Sequence, residues 1–426
     1  MKNNFRWIIV SLIVVITLIN YIDRAALSYA DGAISKAIGI NNAQWGMIGS
    51  AFSIGYLLLA FLGGFIVDRL GVKKTWSFSV GLWSIVTILT AFAGSFASLF
   101  FIRVLLGLTE GPAFPATSRS VSRWLPSQER GKALGLIVGL GVPMSLMIGG
   151  PVITQLLGNF GYKSTFVILG IIGLLWSVLW IRLFKDSPLG YKRVSEKEQA
   201  YIKKGLSQEE TTHHVEKINW HRLLTNRNLW ITTVGYFAWG FIFWSFMYWL
   251  PSYLRQVYQL DIFSIGYFTI LPWAISVVTT IIGGLLADKF NVKKYGLKSR
   301  FRIMGIALLL SGASLIPILS SPSLWGAVIF ISLGVGFGFI TGSLWWVVSI
   351  EASPDQPGAA SGFVDAGFAL SGIVAPVILG FIVESTGSFN GGFILMTALA
   401  ILSAFSFIFL TTDEKQPREE KSVIEA

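Results

Sequence analysis

Apolar residues in this chain come in long runs. They do not alternate as in a half-buried strand, and they do not form the one-sided stripe of a soluble helix. About 20 such residues are what a helix needs to cross a bilayer. Twelve runs of that kind are found, at 7–29, 46–67, 75–93, 97–118, 132–157, 164–184, 229–252, 263–287, 301–320, 324–347, 358–383 and 391–411. The pattern predicts an all-α integral membrane protein with twelve transmembrane helices. One long polar stretch falls between the sixth and seventh runs. It divides the chain into a six-helix bundle over 1–184, a cytoplasmic linker over 185–227, a second six-helix bundle over 228–412 and a cytoplasmic tail over 413–426.

Composition sharpens the picture. Charged residues are 13% of the 426, about half the share usual in soluble domains, while 53% are hydrophobic, with 16 Trp and 32 Phe. A water-soluble chain of this size has no way to cover that much apolar side chain. With no cysteine, disulfides, thiolate metal sites and cysteine nucleophiles are excluded. The net charge of +11 raises the question of nucleic acid. Its distribution answers it. Arg24 and Arg103 fall inside spans, and Lys36, Lys163 and Arg255 fall on the odd-numbered loops. The other 28 cations gather at the N-terminus, the even-numbered loops and the C-terminus, although the loop after span ten offers Glu351 and Asp355 without a cation. This positive-inside bias places both termini in the cytoplasm. The basic charge reflects topology, and no nucleic-acid partner is expected. The first run carries Asp23 and Arg24 and is followed by no small-residue cleavage site, so it reads as a span and not a signal peptide. All three histidines, His213, His214 and His221, sit in the linker, where a solvated segment is expected and no metal site or cofactor.

The two halves repeat. GlyGlyPheIleValAspArgLeuGlyValLysLys (63–74) returns as GlyGlyLeuLeuAlaAspLysPheAsnValLysLys (283–294), at a constant offset of 220. Such a repeat predicts two similar bundles related by an axis along the membrane normal. The glycines permit close helix approach, and the charged pairs Asp68, Arg69 and Asp288, Lys289 read as gating residues that make and break contacts on the cytoplasmic side.

Five ionisable residues lie well inside spans: Asp23, Arg24, Arg103, Glu110 and Asp365. A charge near the bilayer centre costs about 2.5–3.5 kcal/mol on insertion scales, so each is expected to face a polar cavity. Arg103 and Glu110 are two helical turns apart on one face of span four, and Tyr21 and Arg24 share a face of span one. Two planar guanidinium forks converging from two helices describe an anion site. No histidine lies in a span, so proton coupling falls to carboxylates: Glu110 first, on the face of Arg103, then Asp23. Trp244, Trp345 and Trp346 are candidates for the wall supplied by the second half.

The twelve spans, the central linker and the 63–74 motif resemble the major facilitator superfamily along essentially the whole chain. AsnTyrIleAspArgAlaAlaLeuSer (20–28) resembles the anion:cation symporter family within it. So do ArgValLeuLeuGlyLeuThrGluGlyProAlaPheProAla (103–116) and ArgTrpLeuProSerGlnGluArgGlyLysAla (123–133). That family includes bacterial sugar-acid transporters and the animal sialic-acid and glutamate vesicle carriers. The resemblance implies that Arg24 and Arg103 bind the substrate's anionic group, that Tyr21 and Tyr56 contact substrate, and that Glu110 and Asp23 carry protons. Two departures bear on substrate. Val138 and Gly141 stand where sugar-acid members carry an Asn and a Gln, and Asp365 stands where they carry an Asn. A less hydroxylated carboxylate is therefore expected, or a zwitterion whose ammonium meets Asp365.

The function expected is proton-coupled symport of a small organic carboxylate by alternating access. The alternative is proton-coupled efflux of a drug, zwitterion or cation. The partners expected are the anion, protons and the lipid of a bacterial inner membrane, with the chain acting as a monomer. No phosphate-binding loop, intramembrane metal cluster or Ser/His pair is seen, so an enzyme is not expected.

Overall fold

The computed structural model describes residues 4–207, 219–290 and 296–412. Among them the chain is helical throughout and forms no strand. The first half comprises α1 (Phe5–Ile38), α2 (Asn42–Leu70), α3 (Val72–Thr90), α4 (Phe96–Glu110), α5 (Ala113–Trp124), α6 (Ser127–Leu134), a π-helical stretch Gly135–Leu140, and α7 (Gly141–Leu183). Two short helices follow, α8 (Glu196–Ser207) and α9 (Trp220–Thr225). The second half comprises α10 (Arg227–Tyr258), α11 (Ile262–Phe268), α12 (Ile270–Lys289), α13 (Leu297–Leu315), α14 (Leu324–Phe339), α15 (Leu344–Ala352), α16 (Pro357–Thr386) and α17 (Asn390–Phe405).

Ten helical pieces among the described residues are long and apolar enough to cross a membrane. One of them, Ser127–Leu183, runs for 57 residues. At a rise of about 1.5 Å per residue that is far more than one ~30 Å hydrocarbon core. It turns at Gly161, whose φ of 72° and ψ of 169° only glycine adopts readily. Counting that piece as two, and adding the 19-residue but less apolar α3, accommodates the twelve crossings expected.

Local chemistry sets the element ends. Gly39 closes α1 in the left-handed conformation, its N–H returning to the Ser35 carbonyl, and Asn41 with Gln44 forms a capping box that starts α2. Ser95 and Ser98 cap α4 in the same reciprocal way. The fourth span breaks between α4 and α5 at Gly111 and Pro112, since proline has no N–H for the helical ladder. On the outer surface Phe65, Phe92 and Leu175 are more than 60% exposed, a lipid-facing position for side chains of that size.

Within the first half α2 packs on α4, and α1 and α3 pack on α7. The second half mirrors this with α10 on α16, α12 on α14 and α13 on α17. The α2–α4 approach is close because Gly107 lies directly against the Phe52 carbonyl, where a methyl group has no room. This contact fixes Phe52 beside Arg103.

The two halves meet along α1–α10, α2–α16 and the contact of α7 with α11 and α12. These contacts concentrate on the face opposite the linker. There Gly46 packs on Gly380, the Tyr29 hydroxyl donates to Thr269 at 2.9 Å, and Asp31 accepts from both Ser252 and Arg255. The linker face carries the chain ends: Glu198 of α8 accepts from the Phe5 N–H at 3.0 Å, and Asn228 donates to the Thr412 carbonyl at 2.9 Å.

Candidate functional site

A cavity of about 70 Å³ opens inside the first half, lined by Asn20, Tyr21 and Arg24 of α1, Tyr56 of α2, Thr117 of α5 and Val138 of the π-helical stretch. Five of these six carry a polar group, and the rest of the lining, Thr17 apart, is aliphatic or aromatic. The Arg24 Nε donates to Glu110 Oε2 at 2.7 Å, and neither side chain is more than 6% exposed. Three aromatic rings, those of Tyr21, Phe52 and Tyr56, stand 4.5–5.1 Å from the guanidinium carbon. A cation so enclosed is held by the carboxylate and by the ring quadrupoles together.

Arg103 also reaches the Phe52 ring, its guanidinium carbon 5.3 Å from the centroid, so Phe52 receives both guanidinium groups. Its Nη2 donates to the Tyr248 hydroxyl of α10 at 3.3 Å, a contact between the halves. Its Nε is buried without a partner. Arg103 therefore presents a buried charge with unfilled donor capacity. Glu110 shares a face of α4 with Arg103, as expected, but its ion pair is with Arg24. Seven residues separate Glu110 from Arg103 by roughly 10 Å along the axis, beyond direct pairing.

Asp23 is buried, and neither carboxylate oxygen has a hydrogen-bond partner. Glu110 and Arg103 are the charged groups near enough to act on it. Asp365 of α16 is half-buried and has no hydrogen-bond or ion-pair partner among the described residues; Tyr21, Tyr56 and Tyr236 are its near neighbours.

Trp244 stacks on Tyr248 with centroids 5.9 Å apart and leaves its indole N–H unpartnered. Trp345 lies inside the second half, stacked on Tyr236 at 4.7 Å and against Phe407 at 5.9 Å. It is the adjacent Trp346 that reaches across to the first half, stacking on Phe114 at 6.1 Å. Val138 lines the cavity, and Gly141 backs onto Thr17.

On the linker face Asp68 lies 3.5 Å from Arg119, both largely exposed, and Arg69, Asp288 and Lys289 are exposed as well. His221 is exposed in α9, while His213, His214 and residues 291–294 of the repeat lie outside the described residues.

Three contributors were missed in the sequence. Asn20 sits in an apolar run and carries no charge to mark it. Phe52 and Tyr248 carry no signal among so many aromatics.

The geometry is that of a helical membrane protein with a cavity in its first half, lined by one buried arginine and with a second buried arginine across the Phe52 ring contact, and the family model of the Major Facilitator Superfamily matches residues 13–364. The chain belongs to this superfamily. Among its relatives is a hexuronate transporter of Bacillus subtilis, 34% identical over 92% of this chain and 91% of the relative. Another, from Cupriavidus necator, is named "Probable sulfoacetate transporter" and is 31% identical, over 95% of this chain and 94% of that one. In fold the chain resembles a bacterial homologue of the human lysosomal transporter Spinster in an inward-facing, unoccupied conformation, with a TM-score of 0.76, 17% identity and coverage of 96% and 97%. It also resembles a D-xylose–proton symporter, with a TM-score of 0.75, 14% identity and coverage of 95% and 98%. As a major facilitator the chain is a multi-pass membrane transporter and not an enzyme.

Proposed function

We propose that this major facilitator carries a small organic anion together with protons, exposing one central site alternately to the two sides of a bacterial inner membrane, with both chain ends in the cytoplasm. The observation that carries this reading is the pair of buried arginines at Phe52, one neutralised by Glu110 and the other with donors to spare. An anion arriving at Arg24 competes with Glu110, and the released carboxylate takes a proton. Substrate and proton then move together. The seal on the face opposite the linker supports a site reached from the cytoplasmic side in this conformation, with α1, α2 and α7 separating from their partners in the other.

The relatives' names support the chemical class. Hexuronate is a sugar acid, whereas sulfoacetate has no hydroxyl group. Val138 in the cavity wall, where an amide would read hydroxyls, favours a small carboxylate with few of them. Unpartnered Asp365 favours one further reading, a zwitterion whose ammonium it receives.

The test is transport by the purified protein in liposomes. Glu110→Gln should permit exchange of labelled substrate across a membrane without a pH gradient and abolish accumulation driven by one. Accumulation that survives unchanged moves the coupling to Asp23.

A further inference from the structure

One stripe of α10 touches the first half at two depths. Tyr248, Ser252 and Arg255 follow one another at spacings of four and three, so they share a face of the helix. Ser252 and Arg255 both donate to Asp31 of α1, in the seal opposite the linker. Tyr248, one turn deeper, accepts from Arg103 Nη2 at 3.3 Å. Its ring lies beside α2, where a methyl group on Gly49 would stand 3.6 Å from it. Tyr248 and Asp31 are both buried, so these contacts are made away from water. Roughly 10 Å of helix separates Tyr248 from Arg255, too short a stretch for one end to withdraw while the other stays. The hydroxyl therefore reaches Arg103 while the Asp31 contacts hold α10 against α1.

We infer that Tyr248 is an affinity switch tied to the seal. With the outer face shut, its hydroxyl occupies Arg103 and weakens the hold on the anion. With that face open, it withdraws with α10 and leaves the fork free. Tyr248 can have this role only if the anion-transport reading holds, and it then adds the release step to it. The direction follows from competition. A carboxylate grips a guanidinium best through two parallel N–H groups. The Arg103 Nε is idle, and Nη2 beside it is held by Tyr248. An anion that takes both must displace the hydroxyl. A neutral bond of 3.3 Å is easily displaced, so it grades the affinity and does not block the site. Coupling of this kind is reciprocal: loosening the seal tightens anion binding, and anion binding loosens the seal. Tight binding toward the outside and weak binding toward the cytoplasm is the order that uptake requires.

Calorimetry on the purified full-length protein in detergent tests this with two probe acids, succinate and glucuronate. Tyr248→Phe should bind both about three- to tenfold more tightly than wild type, the size of one hydrogen bond. Asp31→Asn, which loosens the seal, should tighten binding by a similar factor. Combining the two should add nothing, because both remove the same competition. The chain has no cysteine, so spin labels at Lys36→Cys and Gln259→Cys, exposed at the outer ends of α1 and α10, report the seal itself. The labels should move apart in Asp31→Asn and stay together in Tyr248→Phe. Arg255→Gln breaks the same ion pair from the other side and decides the matter if Asp31→Asn does not fold. Unchanged or weaker binding in Tyr248→Phe overturns the inference. So does a seal that opens without a change in affinity, a seal that stays shut in both variants, or a double variant whose effects add. Arg103→Lys separates the parent reading. If wild type binds neither acid, or binds them equally well without the Arg103 fork, both readings fall; if Arg103 is needed and the loss of the Tyr248 hydroxyl is not felt, only this one does.

Discussion

Arg24 and Arg103 carry the same charge and differ in what holds them. Arg24 is enclosed by Glu110 and three rings, so deleting Glu110's charge leaves a buried cation uncompensated, a change typically costing about 3–5 kcal/mol. Arg103 has one long hydrogen bond to Tyr248 and an idle Nε. Its fork is the freer of the two to receive an anion. Arg103→Lys, which keeps the charge and loses the planar donor pair, should weaken anion binding by roughly 10–100-fold in a titration of the purified protein. Binding within threefold of wild type would remove Arg103 from the site. Asp365→Asn should selectively lose zwitterionic substrates while keeping or improving simple carboxylates, because it removes a negative charge from an anion site. If neither class responds, Asp365 is a packing element. The intramembrane charges were legible in the sequence because each breaks an apolar run at a cost that demands a reason. The partner of Glu110 was not, because helical spacing compares residues on one helix and the ion pair joins two. Trp345 and Trp346 show the same limit: adjacent positions point roughly 100° apart, and only packing decides which one meets the other half.

At the scale of elements, small residues decide how closely the halves meet. Gly46 on α2 lies against the Pro376 carbonyl and Gly380 of α16, and a side chain at Gly46 has no space there. Gly46→Leu should wedge this face apart and shift the population toward the conformation open on it. The chain has no cysteine, so one introduced at Ser252, buried beside Asp31, reports the change without background. Maleimide labelling of that cysteine should accelerate in Gly46→Leu, and an unchanged rate would show that the interface is not what keeps the face shut. On the linker face α1 begins with a latch. Arg6 pairs with Glu129 at 2.8 Å and with Glu198 at 3.0 Å, and its hydrogen bond holds the Glu129 carboxyl below the usual range. A carboxyl depressed in the folded state stabilises the fold above its unfolded value, near 4.3, and that contribution fades as pH falls through the folded value. The loss of thermal stability on acidification below about pH 5 should therefore be smaller in Glu129→Gln than in the parent. The runs and the repeat made the helices readable. The break at Gly111 and Pro112, and the π-helical stretch at Gly135–Leu140, were not foreseen, because apolar periodicity is blind to a ladder that slips by one residue.

On the alternating-access reading proposed above, one sequence has to serve two conformations of the whole molecule. The hydropathy pattern reads equally well for both, so which face is closed was not legible. The sequence holds the tight glycine contacts that seal one face and the Asp68 and Asp288 motifs of the other. One junction ties these together mechanically. α7 contains two membrane crossings joined at Gly161 without an intervening loop. Its first crossing touches α11 and α12 in the other half, and its second runs back beside α3. Without slack between them, a tilt imposed on the first crossing acts as torque on the second, and the outer helices are dragged along with the inner ones. A stretch of free chain inserted at Gly161 would absorb that torque the way play in a linkage absorbs motion. Substrate should still bind to such a protein with its normal affinity, while the turnover rate drops as the outer crossing lags behind.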